Sequence, residues 1–281
     1  MRKSITQLKG LSATIVIPCF NEGERLKPFL MQLCRVTRSF PGIHILVVDD
    51  GSKKHHVELE KSCIEDSKAL NKNVLFMPLP HNQGKGGALE AGFNAATTPI
   101  VGFADADGST GAEECLNLIT QLSKAQEEPG TDGIVGVLGS RIKLLGKTVD
   151  RIHSRHLMGR IFATLVCKLF GIPVYDSQCG CKFFLRREVV PLLPLIQSRG
   201  WLWDTQLILL LYLAGKSLIE IPVSWTEVAG TKISFIRDPI RMFVELFRFR
   251  RYIRDIDYPP ALPTSINAAV VRPESKKAAR K

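Results

Sequence analysis

Five short apolar runs recur between residues 13 and 140, each followed by a polar turn, and most lead into a stretch of helical spacing. The first is Ala13-Thr14-Ile15-Val16-Ile17-Pro18, and the others cover residues 42–48, 73–77, 99–103 and 133–140. Runs that are apolar at successive positions fit strands buried on both faces, the condition of a mostly parallel sheet covered by helices. The alternation therefore predicts an α/β fold in which the strands' carboxyl ends share one rim. Candidate site residues are the polar ones that close each run. They are Asn21-Glu22, Asp49-Asp50-Gly51-Ser52, the loop His81-Asn82-Gln83-Gly84-Lys85-Gly86-Gly87, Asp105-Ala106-Asp107-Gly108-Ser109, and Arg141.

Two of these closings carry specific chemistry. A bend at Gly108 can bring Asp105, Asp107 and the Ser109 hydroxyl around one hard cation, Mg²⁺ or Mn²⁺, with positions left open for phosphate oxygens. Alone, such a stretch is also an ordinary acidic turn, so its weight comes from the neighbouring loops. A glycine loop carrying Lys85 and running into a helix N-terminus has the geometry of an anion site. Familiar nucleotide motifs are excluded. No Gly-x-Gly-x-x-Gly follows the first strand, and Lys85 is followed by Gly86 instead of Ser or Thr, which argues against a dehydrogenase and a P-loop kinase.

The second half is less regular. Over residues 155–171 a wide apolar helical face is edged by His156, Arg160, Thr164 and Lys168, which suits either a buried helix with a basic edge or an interfacial one. Trp201-Leu202-Trp203-Asp204 precedes an apolar helix over 205–214, and residues 219–225 form a last strand; Trp203 and Trp225 read as core. Asp238-Pro239 then opens a helix with Ile240, Phe243, Val244 and Phe247 on one stripe and Met242, Leu246, Phe249 and Ile253 on another. Arg241, Arg248, Arg250, Arg251 and Arg254 lie between the stripes. This basic amphipathic pattern fits a membrane-surface helix, or a docked helix with its arginines in water.

Net charge, +11, calls for an anionic partner, but aromatic residues do not interleave with Lys and Arg outside that helix, which argues against nucleic acid. No apolar run reaches the roughly eighteen residues needed to cross a bilayer, so a membrane would be met at its surface. The seven cysteines are scattered, Cys179-Gly180-Cys181 lacks the spacer and second pair of a zinc site, and no signal-peptide order is present. The expectation is a reduced protein on the cytoplasmic side, peripheral to the membrane. Residues 1–235 form the expected catalytic domain, 236–256 the basic helix and 257–281 a disordered basic tail.

Across residues 12–235 the chain resembles the family 2 glycosyltransferases of GT-A fold, in particular the polyprenyl-phosphate (dolichyl-phosphate) sugar synthases. The resemblance is carried by Val16-Ile17-Pro18-Cys19-Phe20-Asn21-Glu22, Val47-Val48-Asp49-Asp50-Gly51-Ser52, Gly84-Lys85-Gly86-Gly87-Ala88, Asp105-Ala106-Asp107-Gly108-Ser109, Gly139-Ser140-Arg141 and Asp176-Ser177-Gln178-Cys179-Gly180-Cys181-Lys182-Phe183-Phe184. Gln178-Cys179-Gly180 looks most like the dolichyl-phosphate β-glucosyltransferases. A transmembrane helix before the first strand, frequent in those enzymes, has no counterpart here, and Gln206 stands where Glu is usual. The resemblance implies that Pro18 and Glu22 line the base and ribose, that Asp50 contacts the base, that Lys85 and Asp105 hold the ribose–phosphate part, and that Asp107 is the direct metal ligand. It also places Asp176 beside the reacting phosphate.

The implied reaction is inverting, metal-dependent transfer of a hexose, glucose before mannose, from a nucleoside diphosphate sugar (UDP-glucose or GDP-mannose) to a polyprenyl phosphate. Arg141 and Arg155 are suitable forks for an acceptor phosphate. Asp176 would orient the acceptor, or act as base toward a hydroxyl. Two rival readings are a same-fold enzyme acting on a sugar hydroxyl in polysaccharide assembly and a non-catalytic nucleotide-sugar or anionic-lipid binding module.

Overall fold

A computed structural model describes residues 10–128, 130, 133–150, 153–228 and 237–255. Strands β1 (Ala13–Cys19), β2 (Ile43–Asp49), β3 (Val74–Pro78), β4 (Ile100–Ala104) and β5 (Ile134–Ser140) occupy the five apolar runs. Helices α1 (Leu26–Thr37), α2 (Lys54–Lys68), α3 (Lys85–Ala95) and α4 (Ala112–Ala125) fall in the intervals after the first four. They are followed by β6 (Val149–Asp150), α5 (His153–Phe170), β7 (Cys181–Leu185), α6 (Trp203–Leu213), β8 (Ser217–Pro222), β9 (Trp225–Thr226) and α7 (Arg237–Asp255).

Seven strands make one sheet in the order β3-β2-β1-β4-β7-β5-β8. All pair in parallel except β7, which runs antiparallel between β4 and β5. Cys19 stands opposite Asp49, so the ends of β1 and β2 share the rim expected of them. Ile15, Ile17, Ile45, Val47, Val101 and Phe103 are all buried, which explains strands with no polar alternation. A second, two-stranded sheet pairs β6 with β9.

The α/β, mostly parallel architecture flanked by helices is that of the GT-A fold. Lys182, the second residue of the otherwise apolar β7, is fully buried and ion-paired with Asp204 at the start of α6. Gln206, at the position where Glu is usual, accepts the main-chain N–H groups of Gln197 and Ser198 at 2.8 and 3.0 Å. It ties the loop before α6 to that helix.

The C-terminal helix divides its two stripes. Leu246, Phe249 and Ile253 are buried against the domain, and Phe243 meets Phe162 edge-on at 6.0 Å. Ile240, Val244 and Phe247 face outward, 60%, 44% and 51% exposed, among the exposed Arg248, Arg251 and Arg254. The helix begins at Arg237, so Asp238 sits in its first turn and is not its N-cap. Among the described residues no helix is long and apolar enough to cross a membrane. The tail of 257–281 and the side chain of Arg155 lie outside what is described.

Candidate active site

Strand β4 ends in a turn with Gly108 at φ 69°, a conformation that favours glycine, and the turn folds Asp107 back over its own next residues. The Asp107 carboxylate accepts the Ser109 main-chain N–H at 2.9 Å, and the Ser109 hydroxyl also bonds it. Ser109 thus supports Asp107. Asp105 pairs with Lys85 at 2.6 Å, and its main-chain N–H donates to the Gly180 carbonyl at 2.9 Å. Any Cβ at Gly180 would collide with the Asp105 carboxylate, so glycine lets β7 close against the acidic turn.

Burial, then the neighbouring Asp105 charge, raises the Asp107 carboxyl above its ordinary range. A half-buried acid beside another acid is short of positive charge, and a divalent cation would supply it. No group of three or more His, Cys, Asp or Glu able to hold a metal is present among the described residues. Asp107 and Asp105 are the two carboxylates on this turn that could share a cation, the rest of its shell being open to phosphate and water oxygens. Lys85 stands at the first position of α3. Burial works against its charge, but Asp105, Asp204 and Asp107 more than offset this and its pKa is raised. Its ammonium lies 5.0 Å from the Trp201 ring centroid and 5.3 Å from that of Phe103.

Pro18, Glu22, Asp50, Lys85, Asp105 and Asp107 all line one cavity of about 560 Å³. Asp50 is committed within it. Its carboxylate accepts the Gln83 and Gly84 N–H groups at 2.7 and 2.9 Å and the Asn82 amide at 2.9 Å, holding the glycine loop against β2. Asn21, in the left-handed region at φ 51°, receives Lys53 N–H on its side chain and donates its own N–H to Ser52.

Arg141 and Asp176 lie on the same rim outside that cavity and are joined to each other. Arg141 Nε and Nη2 donate to the two Asp176 oxygens at 2.7 Å each, and the Arg141 main-chain N–H donates to Oδ2 at 3.0 Å. Trp225 lies 5.6 Å from the guanidinium. Burial disfavours the guanidinium's charge, Asp176 more than offsets this, and the Arg141 pKa is raised. The expected free fork is thus a fork held by its own carboxylate. The Asp176 main-chain N–H is in turn fixed by Glu220 at 2.8 Å.

Sequence reasoning missed several parts. Gln178 donates to Asp204 and Thr205 at 3.2 and 2.5 Å, extending the Lys182–Asp204 pair toward the site. Trp201 had no distinguishing pattern. Glu60, on the polar helix α2, is fully buried and accepts the N–H groups of Glu22 and Gly23 at 3.1 and 3.2 Å.

Burial is the main cause that raises the Glu60 carboxyl to about 7, assisted by Asp49 and opposed by the two N–H groups. In the unfolded chain it titrates near 4.5. Between those values the unfolded chain releases a proton that the native one keeps. This contribution to stability is fully present below about pH 4.5 and is lost as pH rises through about 7. The urea midpoint of wild type should accordingly fall from pH 5 to pH 8 more than that of Glu60→Gln, which is neutral throughout. Parallel pH profiles for the two proteins would count against a protonated Glu60.

Residues 14–190 match the family model "Glycosyl transferase family 2". The chain belongs to that family. A dolichyl-phosphate β-glucosyltransferase of Saccharomyces cerevisiae is 30% identical over 246 residues, 84% of this chain and 73% of its own length. The Homo sapiens protein of that name is 30% identical over 229 residues, 78% of this chain and 69% of its own. In fold, this family 2 glycosyltransferase is similar to the Mycobacterium tuberculosis glucosyl-3-phosphoglycerate synthase in complex with Mn²⁺ and uridine diphosphate. The TM-score is 0.60 at 14% identity, covering 87% of this chain and 81% of that one. The protein is an enzyme, and the reading as a purely non-catalytic binding module is set aside.

Proposed function

We propose that this glycosyltransferase moves a hexose, glucose before mannose, from a nucleoside diphosphate sugar to polyprenyl (dolichyl) phosphate, with inversion and with Mg²⁺ or Mn²⁺. The observation that carries the reading is one rim holding both an acidic pair, Asp105/Asp107, and the cations Lys85 and Arg141. An acidic pair suits a metal diphosphate; a guanidinium fork nearby suits a second phosphate. The relatives named dolichyl-phosphate β-glucosyltransferase support that acceptor and that sugar.

The donor would occupy the cavity, with Pro18 and Glu22 beside base and ribose, Asp50 shaping the loop at the base, and Lys85 and Asp105 at the ribose–phosphate part. Asp107 and Asp105 would hold the metal, with Ser109 orienting Asp107. Once bound, the metal supplies positive charge against the departing nucleoside diphosphate. An acceptor phosphate monoester loses its second proton near pH 6, about the ordinary second pKa, so it is already a nucleophilic anion. The chain's task is to bring that anion up to another one, and Arg141 is placed to do so, with Arg155 proposed as a second fork. A screen pairing radiolabelled UDP-glucose, GDP-mannose and other donors with a polyprenyl phosphate, followed by extraction into organic solvent, tests the reading. Label appearing only on free polysaccharide would favour the hydroxyl-acceptor enzyme.

We also propose that the outward stripe of α7 rests on an anionic membrane surface at its cytoplasmic face. Ile240, Val244 and Phe247 would enter the headgroup layer while Arg248, Arg251 and Arg254 meet its charge. Vesicle binding should rise with anionic lipid and fall with salt, and replacing the three apolar residues with Ser should weaken it about tenfold or more. Equal binding by wild type and triple variant would make the stripe a plain solvent face.

A further inference from the structure

We infer that α7 is also a working wall of the donor cavity, and that its Glu245, acting through Ser198, is a positioning residue for Lys85 and the glycine loop. The inference deepens the proposed function and rests on its reading of the cavity as a nucleoside diphosphate site. Asp238, Arg241, Met242 and Glu245 all line that cavity, together with Pro18 and Glu22. The helix that carries the outward apolar stripe thus also closes the pocket beside the acidic turn.

A continuous set of contacts runs from this wall to the anion-binding lysine. Glu245 accepts the Ser198 hydroxyl at 2.7 Å on one oxygen and pairs with Arg241 at 2.7 Å on the other. Ser198, 3% exposed, also receives the Gly200 N–H on its hydroxyl at 3.2 Å. That bond fixes the turn between Ser198 and Trp201. The turn touches the glycine loop directly, because the Arg199 carbonyl accepts the Gly86 N–H at 2.8 Å and the Arg199 side chain reaches Glu90 on α3 at 2.6 Å. It then delivers Trp201 to the Lys85 ammonium.

The physical consequence follows from where the α3 N-terminus spends its donors. Gly86 N–H is held by Arg199, so the loop's orientation toward a diphosphate depends on the position of the 198–201 turn. The turn is held at its start by Gln206 on the Ser198 main chain and by Glu245 on the Ser198 hydroxyl, and further on by the Arg199–Glu90 pair. Losing the second hold leaves Trp201 and the Arg199 carbonyl less well placed, and donor binding weakens while the rest of the rim is untouched. Leu246, Phe249 and Ile253 keep α7 docked in either case.

Titration calorimetry of the full chain with UDP and with GDP, each with Mn²⁺, reads this directly. Ser198→Ala and Glu245→Ala should each weaken the nucleotide that wild type binds by about tenfold, the scale of one hydrogen bond to a charged group. The double variant should be no weaker than Ser198→Ala, which alone removes both the Glu245 link and the Gly200 bond. Glu245→Gln keeps an acceptor for the Ser198 hydroxyl and should recover binding to within about threefold. In transfer assays the same variants should raise the donor KM and leave the acceptor KM unchanged. Melting temperatures close to wild type confirm that the fold is intact; where Ser198→Ala melts early, Ser198→Cys, which keeps the side-chain volume and weakens the bond, takes its place, and where Glu245→Ala melts early, the Ser198 variant carries the readout. Nucleotide binding within twofold of wild type for both single variants, or additive losses in the double variant, would overturn the link. Wild type that binds neither nucleotide would instead remove the donor reading itself, and the link with it.

Discussion

Asp107→Ala is expected to reduce glycosyl transfer by about a thousandfold or more, the scale of losing a metal that stabilises a leaving diphosphate. The basis is geometric. Asp107 is half-buried in a turn whose neighbours spend a main-chain N–H and a hydroxyl on orienting it, and Asp105 beside it is already engaged by Lys85. Asp107 is therefore the carboxylate left for a cation, and Asp105 the one shared between cation and lysine. Ser109→Ala removes only an orienting bond and should cost about tenfold. Binding of Mn²⁺ in the absence of sugar, followed by its paramagnetic signal, should disappear in Asp107→Ala while the melting temperature holds, since the substitution removes a half-buried charge close to another of the same sign. Full transfer in excess EDTA would sink the metal reading.

The parts of this site that the sequence shows are those placed by strand ends. Asp105, Asp107, Lys85 and Arg141 each close or follow an apolar run, so the pattern of runs alone puts them on one rim. The antiparallel β7 is less legible, because Lys182 inside it resembles a surface residue until Asp204, 22 positions later, is seen to neutralise it. Glu60 shows the same limit. A Glu on a polar helix looks solvated, and only the return of the chain at Glu22 and Gly23 makes it a buried acceptor. For α7 the docked reading describes the stripe of Leu246, Phe249 and Ile253, while Ile240, Val244 and Phe247 face outward. Its contact with the donor cavity depends on how the docked stripe is rotated, which spacing does not reveal.

Arg141 and Asp176 illustrate this most sharply, because their pairing changes what each can do. Arg141 and the Gln178 N–H donate to both oxygens of the Asp176 carboxylate. To act as a base Asp176 would have to give up the guanidinium. Its fitting role is to hold Arg141 in one plane, so that the remaining guanidinium N–H groups face an acceptor phosphate. Arg141→Ala should reduce transfer to polyprenyl phosphate by about a hundredfold or more. It also strands a buried carboxylate at a cost of about 3–5 kcal/mol, so Arg141→Lys carries the cleaner readout. Lysine keeps the charge and loses the fork, and transfer should fall about tenfold with donor binding unchanged. Asp176→Asn separates the two roles. If Asp176 orients Arg141, the loss is about tenfold, and the acid limb of the pH–rate profile near pH 6 persists because it belongs to the acceptor phosphate's second ionisation. A loss beyond about a thousandfold, with that limb abolished, would make Asp176 a general base. Together with an Arg141→Lys enzyme of normal activity, that outcome would transfer the assignment to a hydroxyl acceptor.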